Sequence, residues 1–554
     1  MQMRQRTPKG WAVLLLAFLV TGAMADVSDS PSRSVGEAIC DELSGGEASF
    51  RIGAITESTE AGEELVRFYD RMKCRPVWSD GKKVDFKALL LINTLVHAGE
   101  EGLYSGDKAY NLEAILALMG QIKAAPSPRE EPALLAQLDI LLSDAYMMLC
   151  NHLYDGVVRR DGLFDTWTVA SKKKMAWREY LRNALETNTV PESLDRLSPS
   201  HEGYQKLKNI LARYLRIQES GGWDEIVYED PKELREFRSD EIKARLRAEG
   251  DMAEDDESAE GLREGIVSFQ LRHGIKADGI VGNETLEKMN IPVESKIAAI
   301  RLNMERWRWM PQSMESPHIE VNVPAFYLSV VEEGEKLFSM KAITGREERP
   351  TPIFNARMTY IVVNPYWRVP ETILREDIIP KMQKNIGYLA KERIRIFRHG
   401  DEKGLNPVRA SSINWKKADA ATFPYYLRQD AGKKNVLGRL KFMFPNPFDI
   451  YIHDTPEKHL FDKTKRSYSS GCIRIEEPLK LAEYLLVRGG QEKQLSRLEG
   501  GGANRIVSLS RPVHVYISYW TVWEDDSGMA HFQDDMYGYD KELADMLGWD
   551  YGDR

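Results

Sequence analysis

The sequence predicts a multidomain α+β protein, with an all-α scaffold, a small helical module and a mainly β domain in the C-terminal half. Three observations carry that expectation. At 554 residues the chain is long enough for three or four domains. From about residue 37 to 220 apolar residues recur at spacings of three and four, as amphipathic helices require. From His318 the pattern changes to short runs such as 319–323 and 360–363, which read as strands. The 42% hydrophobic and 29% charged content is ordinary for a folded chain, and the net charge of −9 gives no basic footprint for nucleic acid or an anionic membrane surface.

Taken in order, Arg4, Arg6 and Lys9 precede the apolar run Trp11 to Val20 and the small-residue stretch Ala23-Met24-Ala25. Residues 1–25 therefore read as a secretory signal, with an uncleaved anchor as the alternative, and the mature chain is expected in the periplasm. No later segment reads as apolar enough to cross a membrane. The first packed element is expected near Glu37, after a polar lead. Export places four cysteines, Cys40, Cys74, Cys150 and Cys472, in an oxidising compartment where two disulfides are permitted. Cys150 ends the apolar run Ala145 to Leu149 and reads as buried, so one bridge, Cys40 to Cys74, is expected.

Helical stripes follow: Leu65, Phe68, Tyr69 and Met72, then Leu89 to Val96, Leu138 to Met148, and Tyr204 to Tyr214. They read as the core of a scaffold domain over 37–220 and carry no chemistry. Residues 221–292 form a second unit. An acidic loop at 251–260 precedes a helix with Leu262, Ile266 and Phe269 on one face, and Asp278-Gly279 suits a turn with positive φ. Residues 293–312 return to helical spacing through Ile300, Leu302, Met304 and Trp307.

The chemistry concentrates at Ile452-His453-Asp454-Thr455-Pro456 and Ser469-Ser470-Gly471-Cys472-Ile473-Arg474. A free thiol is only a few per cent ionised at neutral pH, and a neighbouring imidazole is what makes it a nucleophile. Phe448, Ile450 and Ile452 alternate with Asp449, Tyr451 and His453, so 448–453 reads as a strand presenting His453, and Ile473 and Ile475 read as a second. Gly471 permits a turn that exposes Cys472 beside successive amides, an oxyanion-hole arrangement.

These motifs resemble the catalytic signature of the L,D-transpeptidases. Asn364-Pro365-Tyr366-Trp367-Arg368-Val369-Pro370, Leu437 to Asn446, Val321 to Phe326 and Tyr519-Trp520-Thr521 reinforce the likeness, whereas Ser470 stands where many members carry histidine. The resemblance implies a catalytic domain over 317–523, built as a mainly β sandwich or barrel-like sheet, with a lid insertion at about 371–432 and a C-terminal extension at 524–554. It implies Cys472 as nucleophile, His453 as general base, the Asp454 carbonyl orienting His453, and Gly471 at the oxyanion turn. It also implies substrate contacts at Tyr451, Asn364 and Trp367. Arg474 either meets a substrate carboxylate or holds the turn, and Ser469 and Ser470 support the loop by hydrogen bonding. Gln270 to Ile275, Asp278 to Gly282 and Thr285-Leu286 resemble the three-helix peptidoglycan-binding module, which implies an insertion whose following helix rejoins the scaffold.

The activity implied is cysteine acyl transfer on a tetrapeptide stem with release of D-alanine and formation of a 3-3 cross-link, on stem peptides and glycan strands, by a monomer without cofactor or metal. Other cell-wall synthesis proteins are expected as partners. Hydrolysis of the same bonds and a non-catalytic wall-binding scaffold are the alternatives. Zinc hydrolysis is disfavoured, because no His-Glu-x-x-His occurs.

Overall fold

The fold was obtained as a computed structural model that describes residues 34–44, 51–52, 55–56, 60–103, 107–125, 132–158, 167–168, 172–227, 239–499, 504–549 and 551. The expected signal segment lies outside the described residues. The principal helices are α1 (Val35–Leu43), α2 (Glu60–Met72), α3 (Phe86–Val96), α4 (Leu112–Ala124), α5 (Pro132–Asp155), α6 (Trp177–Glu186), α7 (Glu202–Glu219), α8 (Ser239–Glu249), α9 (Ala259–Arg272), α10 (Asn283–Met289), α11 (Val293–Trp309), α12 (Pro478–Arg488) and α13 (Tyr539–Leu547). The strands are β1 (His318–Asn322), β2 (Tyr327–Glu332), β3 (Glu335–Gly345), β4 (Ile353–Val363), β5 (Trp367–Arg368), β6 (Ile394–Arg398), β7 (Tyr425–Gln429), β8 (Leu440–Met443), β9 (Ile452–His453), β10 (Ser467–Ser469), β11 (Ile473–Ile475), β12 (Arg505–Ser518), β13 (Val522–Glu524) and β14 (Ala530–Phe532). The molecule is thus multidomain, helical at first and sheet-rich towards the C-terminus.

The scaffold begins two residues before its expected start, at Val35, because Ser34 and Glu37 form a reciprocal capping box. Cys40 and Cys74 are disulfide-bonded and tie α1 to the end of α2, while Cys150 is free and buried. Around α5 the other helices close a core that includes Leu65, Phe68, Leu91 and Ile115. Asp139 on α5 is buried and accepts from the amides of Val77 and Trp78 and from the Tyr69 hydroxyl. The expectation that no second segment is apolar enough to cross a membrane is corrected by α5. Its 24 residues, with hydropathy 1.5, are long and apolar enough by composition, and 78% of the apolar window is buried inside this core. A core helix and a span pass the same test of hydropathy, and the difference lies in what covers the helix.

The module of α8, α9 and α10 has a small core of its own, with Leu246, Phe269 and Met289. Its signature residues serve its own folding. Gln270 donates to the Ile280 carbonyl at 2.9 Å and to Thr285 Oγ1 at 3.1 Å, and accepts from the Gly279 amide at 2.8 Å. A fully buried ionic cluster, Glu249 with Arg245, Arg272 and Lys296, joins the module to α11. Helix α11 is buried almost throughout and shares a core with α7, α13 and the β13–β14 hairpin.

Eight strands close a barrel in the order β8-β9-β11-β3-β2-β1-β12-β4, with β8 pairing back to β4. The two-residue strand Trp167–Thr168 extends the sheet beside β4, and β10 pairs in parallel with β3. Ile319, Met340, Ile361, Phe442, Ile452 and Ile473 fill the interior. Between β4 and β8 the chain leaves the barrel and builds a three-stranded sheet, β5-β7-β6, over a separate core containing Leu374, Ile378, Trp415 and Leu427.

Candidate active site

Strand register puts Lys441, His453 and Arg474 on one face. In β8 and β9 Phe442 pairs with Ile452 and Lys441 with His453, and in the parallel pair β9–β11 Ile452 pairs with Ile473 and His453 with Arg474. Because Phe442, Ile452 and Ile473 point into the barrel core, the alternate residues Lys441, His453 and Arg474 share the opposite face, and Tyr451 and Cys472 stand just before β9 and β11, with the Tyr451 ring 5.6 Å from that of His453. The strand expected over 448–453 is only two residues long. Asn446 explains the shortening: its side-chain oxygen accepts from the amides of Phe448 and Ile450, its nitrogen donates to the Phe444 and Ile450 carbonyls, and Asp449 takes φ 55°. A side chain that satisfies the backbone of a turn competes with the ladder.

His453 is buried, and its Nδ1 lies 2.5 Å from the Asp454 carbonyl oxygen. A carbonyl can only accept, so Nδ1 carries the proton and Nε2 is left as the acceptor. The Asp454 main chain is held by its own side chain, whose oxygens accept from the Arg439 amide at 2.8 Å and the Thr455 amide at 2.7 Å and pair with Lys458 at 2.9 Å. Gly438 is required beside it, because a Cβ there would lie 2.3 Å from the Asp454 carboxylate. Burial, reinforced by the Arg474 guanidinium, holds His453 down at about 3, so the imidazole is neutral.

Cys472 is free and partly exposed. Burial of the sulfur pushes its thiol above the ordinary range. Hydrogen bonds from the main chain and side chain of Tyr451 and the charges of Lys441 and Arg474 oppose that shift. The preceding turn has Gly471 at φ 103°, a conformation that L side chains rarely adopt. Ser469 is buried and its hydroxyl accepts from the Gly471 amide at 3.2 Å, while Ser470 is exposed and accepts from Arg349 at 3.0 Å. Arg349 also pairs with Glu376 and Asp377 at 2.6 Å, so one guanidinium joins the cysteine turn to the inserted subdomain. Arg474 pairs with Glu457 at 2.7 Å.

Two implied substrate residues lie at the root of the insertion. Trp367 is buried in the subdomain core and hydrogen-bonds the Tyr451 hydroxyl. Asn364 occupies the turn that leaves β4, with φ 52° and its amide donating to the Arg439 carbonyl at 2.8 Å. The structure thus brings Cys472, His453, Asp454, Gly471, Arg474, Ser469, Ser470, Tyr451 and Trp367 into one neighbourhood, whereas Asn364 has a backbone role at its edge.

Four residues not singled out in the sequence join them. Lys441 stands across Tyr451, with its ammonium 3.6 Å from the ring centroid. Arg349 is the clamp described above. Thr351 is buried, and its hydroxyl donates to the Gly471 carbonyl at 2.8 Å and accepts from the Gly345 amide at 2.8 Å. Tyr537, between β14 and α13, donates to the Gly345 carbonyl at 2.6 Å and accepts from the Thr351 amide at 3.1 Å. The C-terminal segment therefore braces the cysteine turn. Only the alternation of Lys441 with Phe442 could have been read from sequence.

Comparison with known proteins agrees with this architecture. Residues 316–507 match the model of the L,D-transpeptidase catalytic domain, residues 63–211 a scaffold domain, and residues 239–289 a "Putative peptidoglycan binding domain". A protein of Haemophilus influenzae described as a "Putative L,D-transpeptidase" is 32% identical over 253 residues, which cover 45% of this chain and 50% of that protein. The chain thus spans about half the length of the curated relative it matches. Beside its helical scaffold and its three-helix module, the chain thus carries in its sheet-rich C-terminal part a segment, residues 316–507, that matches the L,D-transpeptidase catalytic domain.

Proposed function

We propose that this protein acts in the periplasm as a cysteine acyltransferase on peptidoglycan stem peptides. The single observation that carries the reading is the meeting of Cys472 and His453 at Tyr451, with His453 Nδ1 fixed on the Asp454 carbonyl and Nε2 left to take a proton. The Cys472 S–H proton passes to Nε2, and the thiolate attacks the carbonyl of the third residue of a tetrapeptide stem. Amides of the Gly471 turn hold the oxyanion. Collapse of that intermediate breaks the peptide bond, and His453 returns the proton to the amine of the departing D-alanine. The thioester is then attacked by the side-chain amine of a neighbouring stem, which gives a 3-3 cross-link and frees the thiol.

The inserted subdomain, tied to the site through Trp367 and Arg349, acts as a lid that excludes water, and the α8–α10 module supplies affinity for the wall. Water as acceptor would make the product a tripeptide, and water exclusion decides between the two. Incubation with defined tetrapeptide muropeptides and mass analysis of the products separates the readings. Dimers lacking one D-alanine support the proposal, tripeptides favour hydrolysis, and unchanged substrate with an intact fold favours a binding scaffold.

A further inference from the structure

We propose that Lys441 is the counter-cation of the Cys472 thiolate, so that the nucleophile is held by a β8 ammonium as well as by the imidazole that receives its proton. The inference rests on Cys472 being the nucleophile. The geometry is that of a cluster. Lys441 lies in β8 opposite His453, and its neighbour Phe442 fixes its orientation away from the barrel interior by filling the core. The Lys441 ammonium packs on the Tyr451 ring at 3.6 Å, and the Tyr451 main chain and side chain hydrogen-bond the sulfur. The cation and the thiol thus flank one aromatic side chain.

The surrounding charges single out Lys441. The groups around the thiol are His453 on β9, Tyr451 and Asp449 in the turn before it, Arg474 on β11 and Lys441 on β8. Arg474 is engaged by Glu457 at 2.7 Å, and it bears more strongly on His453 than Lys441 does. Lys441 bears more strongly than Arg474 on the sulfur. Among the described residues no carboxylate lies within ion-pair distance of Lys441, and its largest electrostatic partner is Cys472, ahead of exposed Asp449. A half-buried ammonium without a carboxylate gains most from an anion that forms beside it.

The need for such a charge follows from the neutral pair. Moving the proton from Cys472 to His453 creates a thiolate and an imidazolium, and the buried imidazole is a weak base. The S–H bond breaks and an N–H bond forms at Nε2, while Lys441 stays protonated and exchanges nothing. Its field lowers the thiolate, while the larger charge effect on His453 comes from Arg474.

The test uses the full chain and no wall substrate. The rate of Cys472 alkylation by iodoacetamide is followed against pH, with peptide mass mapping to separate Cys472 from Cys150. Lys441→Met is expected to raise the midpoint by about one unit, which slows alkylation roughly tenfold at neutral pH. Lys441→Arg should restore most of the rate, and Lys441→Gln gives the same comparison if the methionine variant fails to fold. A folded Lys441→Met or Lys441→Gln variant with an unmoved midpoint overturns the proposal. A moved midpoint in a protein inactive on muropeptides would keep this inference and remove the function proposed above.

Discussion

Replacing Tyr537 with Phe removes one oxygen from a segment outside the matched catalytic domain, yet the reasoning assigns it a direct consequence at Cys472. The hydroxyl donates to the Gly345 carbonyl at 2.6 Å and accepts from the Thr351 amide at 3.1 Å. Both main-chain groups belong to buried residues, so the substitution leaves a donor and an acceptor unsatisfied. An unpaired buried group costs about 1–3 kcal/mol, so the pair is expected to cost about 2–6 kcal/mol. For a domain of this size that lowers the melting temperature by roughly 4–24 °C. Thr351 in turn holds the Gly471 carbonyl at 2.8 Å, which sets the plane of the Gly471–Cys472 peptide and thus the aim of the Cys472 amide. Displacing an oxyanion donor lowers turnover, so the rate of acyl-enzyme formation should fall roughly ten- to hundredfold with little change in half-saturation. Calorimetry and time-resolved intact mass with a carbapenem acylating agent read the two effects. A Tyr537→Phe protein that melts and acylates like the parent would refute the brace.

Three further outcomes are expected. His453 titrates at about 3 in the folded chain against about 6.5 unfolded, so its contribution to stability is complete above pH 6.5 and is lost as pH falls towards 3. At about 1.4 kcal/mol per unit this is roughly 5 kcal/mol, and His453→Gln should flatten the acid limb of a denaturation series. Glu249→Gln removes the carboxylate that Arg245 and Lys296 hold at 2.8 and 2.6 Å, leaving buried cations uncompensated. A loss of about 3–5 kcal/mol follows, and limited proteolysis should cut first around the α8–α10 module. Opening the Cys40–Cys74 bridge by a double serine substitution frees a loop of sequence separation 34 and should cost about 3–4 kcal/mol, read as a lower denaturant midpoint of the scaffold.

Much of the fold was legible because local periodicity and tertiary burial agree. Phe68, Leu207 and Ile300 fall on stripes that the helices do bury, and Ile473 and Ile475 alternate as the barrel requires. The cysteine turn was legible because Ser469, Ser470, Gly471 and Cys472 are contiguous. What was hidden is long-range. Tyr537 reaches Gly345 across 192 positions, and Thr351 reaches Gly471 across 120, so no local pattern announces them. The shortened β9 was hidden for a different reason. Alternation from Phe448 to His453 is real, but Asn446 supplies backbone partners that make a turn cheaper than a ladder. Helix α5 shows the reverse problem, since its composition permits a membrane and its surroundings supply a core.

The most direct test of the central claim is to trap the enzyme with a tetrapeptide stem and map the adduct by peptide mass. The account predicts a tripeptide acyl group on Cys472, one D-alanine released per adduct, and no adduct when His453 is replaced by Gln in a protein that still folds. An acyl group on another residue, or an adduct that forms equally fast without His453, would contradict it.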